Sequence, residues 1–399
     1  MSHGIRENRL PGSPDIFHSL PGETLIRRAG HYCSVTGSII GRGWAVLVVA
    51  LTVGQAIPPS AAEAPPAFGV WYIDGDVTLQ NGTFYINDIV QINASGSLAI
   101  YNALLVFNAS GIHVNVFGRL VMADTKVMLA DNGYPATYIA IDYAVGDFRR
   151  CSFDNVSFSV RDGEARFTSC NFKGNRAGLY QDTYGSATYG LVINNCTFLG
   201  TSYPCIYSSG GNLAVLGSRF FHDASDWVDS VSQEGTVEAP QEGARVMENQ
   251  FIGPNIGIYL GDSAIYNTQT SILIRMAGQT SQNIRNNTFT RTGCGVCLFG
   301  HPSSVEITGN QLQNCGQGIY TTHYYSSPEV IVSENTIDGG ENGVQFYSGN
   351  INFANNTISN CTNSGFYGSA NTAGGQGLVI RDNRISGCLF GAYLSNVIC

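Results

Sequence analysis

One frame of residues recurs through the second half of the chain, and it is clearest in VEITGNQLQNCGQGIY (305–320) and VIVSENTIDGGENGVQFY (330–347). An apolar residue, two variable residues, an asparagine, one further residue and a second apolar residue follow one another. The six copies are Val246/Asn249/Phe251, Ile284/Asn287/Phe289, Ile307/Asn310/Leu312, Val332/Asn335/Ile337, Phe353/Asn356/Ile358 and Ile380/Asn383/Ile385. The intervals between successive asparagines are within the range of solenoid repeats.

A glycine follows each of these asparagines at a nearly constant distance. It comes eight residues later in five copies and nine in the copy of Asn356, at Gly257, Gly295, Gly318, Gly343, Gly365 and Gly391. Apolar residues on both sides of a bend are expected where alternate side chains of short strands face a shared core. We expect Asn at the bend because it tolerates a left-handed backbone, and its amide can bond from coil to coil as a ladder. Glycine is expected at the next corner, where a Cβ would be costly.

The frame also extends towards the amino terminus with other residues in place of Asn. Matching copies are Phe148/Cys151/Phe153, Phe167/Cys170/Phe172, Ile193/Cys196/Phe198 and Val215/Ser218/Phe220. Upstream, Gly96-Ser97-Leu98 aligns with Gly118-Arg119-Leu120 one coil length later, which indicates two further coils of a different frame. The sequence therefore predicts a parallel β-helix, an all-β solenoid of about ten to thirteen coils.

The segment 1–62 has the pattern of an export signal. Arg27, Arg28 and Arg42 precede Trp44–Val53, a mainly apolar run that small residues follow, as in secretory signals. An uncleaved membrane anchor is the alternative. We predict a leader at 1–62 with a signal peptide or anchor, N-terminal β coils and a cap at 63–147, and β-helix repeats at 148–399. The expected location is outside the cell or at its surface.

The charge of the chain argues against an anionic partner. Charged residues make up 12% of the sequence, and the formal net charge is −9. The predicted leader holds five Arg against three acids, so the remainder carries −9 − 2 = −11. Such a surface repels nucleic acid and anionic membranes. We therefore predict no nucleic-acid partner.

Ten cysteines follow the leader, and their repeat positions suggest bridges between stacked coils. Residues at equivalent positions of neighbouring coils lie about 4.8 Å apart, which is inside the Cα range of a disulfide. We predict Cys361–Cys388 and Cys294–Cys315 as disulfides, with buried free thiols as the alternative. Cys294-Gly-Val-Cys297 has the spacing of a redox or metal pair, but no second pair or nearby histidine accompanies it.

The strand after the repeated glycine is predicted to carry an outward stripe of tyrosines. Positions nine and eleven after Asn are apolar and should face inward, so position ten should face out. The tyrosines expected there are Tyr180, Tyr259, Tyr320, Tyr367 and Tyr393. Exposed Tyr rings can stack on sugars while their hydroxyls hydrogen-bond. The alternative is that these aromatic residues favour strands and stack on one another.

Long insertions follow this strand and hold the candidate catalytic residues. Asp262, His301 and His323 lie thirteen or fourteen residues after Asn in three consecutive coils, so stacking would bring them together. Asp and His together can move protons or bind a metal, and loop polarity without chemistry is the alternative. A further insertion, 221–244, is acidic and is a candidate calcium segment, although its carboxylates lack a fixed ligand spacing. We otherwise predict no cofactor and no metal.

The repeated Asn frame resembles the pectate-lyase-like superfamily, and more closely the NosD-type and carbohydrate-binding-and-sugar-hydrolysis repeat proteins. The resemblance covers about Trp71 to Cys399 and implies a right-handed β-helix. In those relatives, polysaccharide lies on the outside of the strand that carries the Tyr stripe here. The enzymatic motifs of the superfamily are absent: the chain has no Asp-Asp pair and no Asp-Pro-His, and His301 lies in Gly-His-Pro.

These observations leave three functions open. The first is a binding or structural protein that contacts a polysaccharide or other glycan through the Tyr stripe. The second is a polysaccharide lyase, epimerase or glycoside hydrolase, and the third is a purely structural surface spacer. The chain reaches Cys399 just after a coil without a polar or helical cap. Because solenoid ends need caps, we expect either a fragment or a C-terminal end that meets another chain.

Overall fold

The computed structural model describes residues 64–109, 111–130, 137–174, 178–182, 190–199, 205–208, 212–221, 244–253, 256–261, 270–275, 281–299, 304–322, 329–347, 350–369 and 378–395. The chain divides into two units, Met1–Ala56 and Ile57–Cys399, and all described residues belong to the second. Every regular element among them is a β-strand. The predicted leader lies outside the described residues and stays a prediction.

The strands form three parallel sheets. Sheet A contains β1 (Trp71–Ile73), β4 (Val90–Ile92), β7 (His113–Val116), β10 (Thr137–Asp142), β13 (Val156–Arg161), β16 (Leu179–Asp182), β19 (Ile206–Ser208), β25 (Thr270–Arg275), β24 (Ile256–Gly261), β28 (Cys294–Phe299), β31 (Gln317–Thr322), β34 (Asn342–Tyr347), β37 (Ser364–Ser369) and β40 (Phe390–Ser395), in spatial order. Sheet B contains β2 (Asp76–Gln80), β5 (Ser97–Tyr101), β8 (Arg119–Ala123), β11 (Val145–Arg149), β14 (Glu164–Thr168), β17 (Gly190–Asn194), β20 (Asn212–Leu216), β22 (Ala244–Met247), β26 (Ser281–Arg285), β29 (Ser304–Thr308), β32 (Glu329–Ser333), β35 (Asn350–Ala354) and β38 (Leu378–Arg381). Sheet C contains β3 (Thr83–Ile86), β6 (Leu104–Phe107), β9 (Lys126–Leu129), β12 (Ser152–Asp154), β15 (Asn171–Lys173), β18 (Thr197–Leu199), β21 (Arg219–Phe221), β23 (Gln250–Ile252), β27 (Thr288–Thr290), β30 (Gln311–Gln313), β33 (Thr336–Asp338), β36 (Thr357–Ser359) and β39 (Arg384–Ser386).

The chain therefore winds as a parallel β-helix whose described coils give one strand to each sheet, except between β21 and β26. Sheets B and C have 13 strands and sheet A has 14, in agreement with the predicted ten to thirteen coils. The upstream coils have the expected alignment, since Ser97 pairs with Arg119 and Leu98 with Leu120. All three sheets continue across Phe148 without interruption, so the two predicted segments of the solenoid share one core.

A column of phenylalanine rings fills the core behind sheet C. Phe172, Phe198, Phe220, Phe251 and Phe289 stack in sequence with ring centroids 4.6–4.9 Å apart. Each ring is buried and comes from the apolar position two residues after the ladder residue of its coil. Parallel pairing at about 4.8 Å places equivalent rings in stacking distance. The repeated apolar frame thus encodes a continuous core.

A single left-handed residue makes the bend between sheets B and C in every coil. These residues have φ between 48° and 67° and follow directly after a sheet B strand: Asn81, Asn102, Asp124, Arg150, Ser169, Asn195, Gly217, Glu248, Asn286, Gly309, Glu334, Asn355 and Asp382. The left-handed position is the residue before the repeated asparagine. The first of our two reasons for Asn in the frame was therefore wrong, because the repeated Asn itself does not supply the left-handed backbone, whereas the second reason was its amide ladder.

The repeated asparagines instead form a buried ladder. The side-chain Oδ1 of Asn310 accepts hydrogen bonds from the backbone N–H of Asn287, at 2.9 Å, and from its Nδ2, at 3.0 Å. Asn310 Nδ2 in turn donates to Asn335 Oδ1 and to the carbonyl of Ile284, both at 3.0 Å. The same pattern joins Asn249, Asn287, Asn310, Asn335, Asn356 and Asn383. Each amide thereby satisfies backbone groups that the bend would leave unpaired in the core.

Cysteine and serine take the same role in the preceding coils. The N–H of Ser218 donates to Asn249 Oδ1 at 2.8 Å, and the N–H of Cys196 donates to Ser218 Oγ at 3.1 Å. The N–H of Cys170 donates to Cys196 Sγ at 3.4 Å. A side-chain acceptor is thus what this position requires, which explains why three residue types share it.

The repeated glycine lies inside sheet A strands, where coils approach most closely. It is the second residue of β28, β31, β34, β37 and β40 rather than a corner residue. A Cβ on Gly318 would lie 2.3 Å from the carbonyl oxygen of Gly343, and one on Gly343 would lie 2.5 Å from that of Gly365. A side chain at this position would therefore be unfavourable, as expected. The reason is steric overlap with the carbonyl oxygen of the next coil rather than a corner of the backbone.

Among the described strands, sheet A departs once from sequence order. After β21 the next described strand is β22, in sheet B, so that coil gives no described strand to sheet A. The vacant place between β19 and β24 is taken by β25, which follows β24 in sequence. This out-of-order strand thus keeps sheet A continuous, and the fourteenth member of sheet A arises because the described strands both begin, with β1, and end, with β40, in that sheet.

Candidate binding face on sheet A

The outward row predicted for position ten runs in register along sheet A. Tyr259, Cys297, Tyr320, Gln345, Tyr367 and Tyr393 pair in that order. Their neighbours at positions nine and eleven face the core, since Val296, Leu298, Val344 and Phe346 are fully buried. Tyr367 pairs with Gln345, as expected from the one-residue shift of its coil. The row is therefore present, whereas its role in binding remains a prediction.

One aromatic ring from each of five consecutive strands forms a continuous strip on this face. We call Phe299, Tyr320, Tyr347, Tyr367 and Tyr393 the aromatic strip. Neighbouring ring centroids are 5.3, 5.8, 5.6 and 5.2 Å apart in that order. The first four rings are half-buried and Tyr393 is exposed. The strip follows the stacking direction of the coils rather than the direction of a strand.

The ring orientations differ along the strip. Tyr367 and Tyr393 stack nearly flat, with an interplanar angle of 10°. Tyr347 is tilted by 59° against Tyr320 and by 55° against Tyr367. Flat stacking covers ring faces, whereas a tilted ring cannot be covered flatly by its neighbours. The middle of the strip is thus where ring faces are least occupied by one another.

Two predicted stripe residues, Tyr180 and Tyr259, are not among the five rings of the aromatic strip. Tyr180 pairs in register with Tyr207, and their ring centroids are 6.2 Å apart. Strands β25 and β24 lie between this pair and β28, but the Tyr207 side chain packs against Cys294 and Cys297, as do Phe299 and Tyr320. Tyr259 lies in the row by its backbone, but its side chain lies outside the described residues. Tyr180 therefore connects to the strip through Tyr207 and the pair of Cys294 and Cys297.

Sequence reasoning missed Phe299 and Tyr347. Both lie twelve residues after the ladder asparagine of their coil, so the alternation of side chains puts them on the outer face with position ten. Phe299 pairs with Thr322, and Thr322 pairs with Tyr347. Extending the same alternation by two residues would have found them. The strip therefore zigzags between two outward rows instead of following one.

The strip begins beside a disulfide that the sequence did not predict. Cys294 and Cys297 are bonded, with their Cα atoms 6.3 Å apart, and both side chains are buried. Phe299 and Tyr320 pack against this pair. The predicted Cys294–Cys315 bridge is wrong because Cys294 pairs in register with Gln317, two residues beyond Cys315.

The predicted Cys361–Cys388 bridge is also absent, since both residues are free thiols. Cys361 Sγ donates to the carbonyl of Ser359 at 3.8 Å, and Cys388 Sγ to that of Ser386 at 3.5 Å. Each thiol is thus turned to the backbone of its own coil. Burial, followed by the neighbouring Cys388, raises the pKa of the Cys361 thiol to about 12. This residue therefore stays protonated at neutral pH and is a poor nucleophile.

The remaining candidates for chemistry lie outside the described residues. They are Asp262, His301, His323 and the acidic insertion between β21 and β22. Among the residues that the structure describes, no group of three or more His, Cys, Asp or Glu is arranged to hold a metal ion. The described residues likewise contain no helix long and apolar enough to cross a membrane. The catalytic and calcium hypotheses remain predictions.

Polar groups on the strip are amides and hydroxyls. Gln345 Nε2 donates a hydrogen bond to the hydroxyl of Tyr347. At the start of the strands, Asn342 Oδ1 accepts from Asn363 Nδ2 at 3.0 Å and from the N–H of Ser364 at 3.3 Å. Such groups both donate and accept. The described polar groups of this face can therefore hydrogen-bond ligands that carry hydroxyl groups.

Comparison with known proteins supports the class that the fold defines. Residues 239–397 match the family model described as "Right handed beta helix region". Together with the parallel sheets, this match makes the protein a right-handed parallel β-helix. No curated protein matches the chain.

One solved structure that resembles the chain is PfbA, a surface adhesin of Streptococcus pneumoniae. The two share 10% sequence identity with a TM-score of 0.31, over 80% of this chain and 85% of that one. At this level the likeness carries no argument about function.

Proposed function

We propose that the protein is an exported β-helix that binds glycan through the aromatic strip on sheet A. The observation that carries this proposal is the strip itself, with five rings on five consecutive strands and centroids 5.2–5.8 Å apart. Export is the expectation from the pattern of residues 1–62, and it fits a surface role. The strip supports binding because aromatic rings offer apolar contact area with polar hydroxyls at their tips.

Packing alone does not explain why this strip lies on the outer face. The inner face of the same strands already contributes buried apolar side chains to the core, such as Val344, Phe346 and Phe366. Large apolar groups on a surface are favourable where a ligand covers them. The tilt of Tyr347 leaves ring surface available for a sugar at the centre of the strip, and neighbouring hydroxyl and amide groups can bond to its hydroxyls.

The test is binding of the purified protein to a panel of neutral and acidic polysaccharides, with product release measured in the same samples. We expect retention without shortened or unsaturated products. Tyr347→Ala combined with Tyr367→Ala should weaken binding at least about tenfold, which corresponds to a loss of about 1.4 kcal/mol. Thermal denaturation of the variant confirms that it remains folded.

Tyr85→Ala is the matched control, because Tyr85 is an exposed tyrosine on a different sheet. It should bind every glycan as the native protein does. Equal loss in the control and in the double variant, or no glycan retained at all, would remove the proposal. Product release that depends on His301 or His323 would favour the enzyme alternative.

A further inference from the structure

We infer that the aromatic strip selects uncharged glycans over glycans that carry carboxylates; this inference rests on the proposed function and specifies its ligand. The strands of the strip read CGVCLF, QGIYTT, NGVQFY, SGFYGS and FGAYLS. None of these five strands contains Lys, Arg, Asp or Glu. A face built from fully uncharged strands is unusual for a ligand that carries a charge at regular intervals.

The segments that connect these strands to sheet B add no permanent cation either. Residues 300–303, 323–328, 348–349 and 370–377 contain no Lys, Arg, Asp or Glu in the sequence. Charged pairs of the described solenoid lie on other strands and bends. Arg285 and Glu306, for example, pair on sheet B, and Arg150 bonds Asp124 at the bend between sheets B and C.

The energetics of a carboxylate on such a face are unfavourable. Placing an ionised group against half-buried aromatic rings removes part of its hydration, and no Lys or Arg of these strands compensates for that loss. The net charge of −9 adds long-range repulsion of a polyanion. Both effects act against uronate polymers and leave neutral sugars unaffected.

A neutral sugar meets the opposite situation. Its hydroxyl groups donate and accept hydrogen bonds, as do the side chains of Gln345, Tyr347 and Ser369 at outward positions of the strip. Its apolar ring face can lie against a tyrosine. Shared donor and acceptor chemistry without net charge therefore points to a neutral polysaccharide.

The test compares a neutral gluco-oligosaccharide with an oligogalacturonate of the same length by calorimetric titration. We expect the neutral ligand to bind at least about tenfold more tightly, with an affinity that changes little between low and high salt. An affinity for the galacturonate equal to or higher than that for the neutral ligand would overturn the inference. If the galacturonate bound at least as tightly and Tyr347→Ala lowered the affinity for both ligands equally, the inference would fail and the proposed function would stand.

A gain-of-function variant gives an independent check. Gln345→Arg places a cation in the middle of the strip and should shift the ratio of the two affinities at least tenfold towards the galacturonate. Thr336→Arg on the exposed face of sheet C carries the same charge change and should leave the ratio unchanged. An equal shift of the affinity ratio in both variants would refute the assignment of the selective site to the aromatic strip around Gln345. Failure of both ligands to bind any of these proteins would overturn the proposed function as well.

Discussion

At the scale of single residues, two adjacent positions determine each bend between sheets B and C. The first adopts a left-handed backbone, and the second turns an acceptor side chain towards the next coil. The first position tolerates many residue types, including Arg150 and Glu334, because it is exposed and bears only a local conformational cost. The second is restricted to small polar or thiol side chains through most of the solenoid, because it lies in the core beside backbone groups that need partners.

The ladder gives a direct prediction for Asn310. Substitution by Ala removes the acceptor used by two nitrogens of Asn287 and the donor used by the carbonyl of Ile284. Each buried group left unpaired costs roughly 1–3 kcal/mol, so we expect the free energy of unfolding to fall by about 3–5 kcal/mol. Chemical denaturation measures this change.

Two controls accompany that measurement. Thr336→Ala alters an exposed side chain of the next coil and should change stability by less than about 0.5 kcal/mol. Asn310→Ser keeps an acceptor, as Ser218 does in its own coil. Its loss of unfolding free energy should therefore lie between those of Thr336→Ala and Asn310→Ala. A loss of less than about 1 kcal/mol in the Ala variant would show that water replaces the amide.

At the scale of the element, the sheet A strand combines close backbone contact on one side with an open aromatic face on the other. The glycine row permits the approach of successive coils at the start of the strand. The aromatic strip then follows on the outer surface. Strand packing and the candidate site therefore use different residues of the same short segment, which separates stability from binding in mutational tests.

Gly318→Ala is expected to destabilise the protein without altering the strip. The added Cβ would meet the carbonyl oxygen of Gly343 at 2.3 Å and Ile337 Cγ2 at 3.1 Å. Overpacking of this kind costs typically about 1–3 kcal/mol. Gly391→Ala, at the equivalent position of β40, meets no atom within 4 Å and should be tolerated. Comparison of the two melting temperatures checks the prediction; equal melting temperatures would contradict it.

At the scale of the whole molecule, stability is distributed from coil to neighbouring coil. Each strand pairs with the strand above and the strand below, and the ladder and the Phe column follow the same axis. Solenoids of this kind behave as chains of nearest-neighbour interactions. The out-of-order β25 fits this description, because a missing strand in sheet A would interrupt that chain.

Double substitutions along the ladder measure the range of this coupling. Asn310→Ala and Asn335→Ala each remove the hydrogen bond between these two side chains. The loss of unfolding free energy in the double variant should therefore be smaller than the sum of the two single losses by about 0.5–3 kcal/mol. Asn249→Ala with Asn356→Ala alters positions separated by three further ladder residues, and should be additive within about 0.5 kcal/mol. Additivity in the first pair would show that the ladder is a set of independent contacts.

The sequence by itself determined the class of fold, a range of ten to thirteen coils and the register of the outward row. These follow from local alternation and from the repeat, which are properties of neighbouring residues. Tyr320, Tyr367 and Tyr393 could be placed on one face because position ten is outward in every coil. The Asn ladder was predictable for the same reason, since equivalent positions of a solenoid must stack.

Only the tertiary structure decided how side chains of different coils meet. Tyr347 and Phe299 join the strip through contacts between strands that belong to different coils and are distant in the chain. The bonding of Cys294 to Cys297, rather than to Cys315, depends on the face that each side chain occupies after pairing. The place of β25 is decided by its pairing with β19 on one side and β24 on the other, strands that belong to different coils. A repeat pattern specifies which positions are equivalent, but contacts between non-equivalent positions arise only when the coils are stacked.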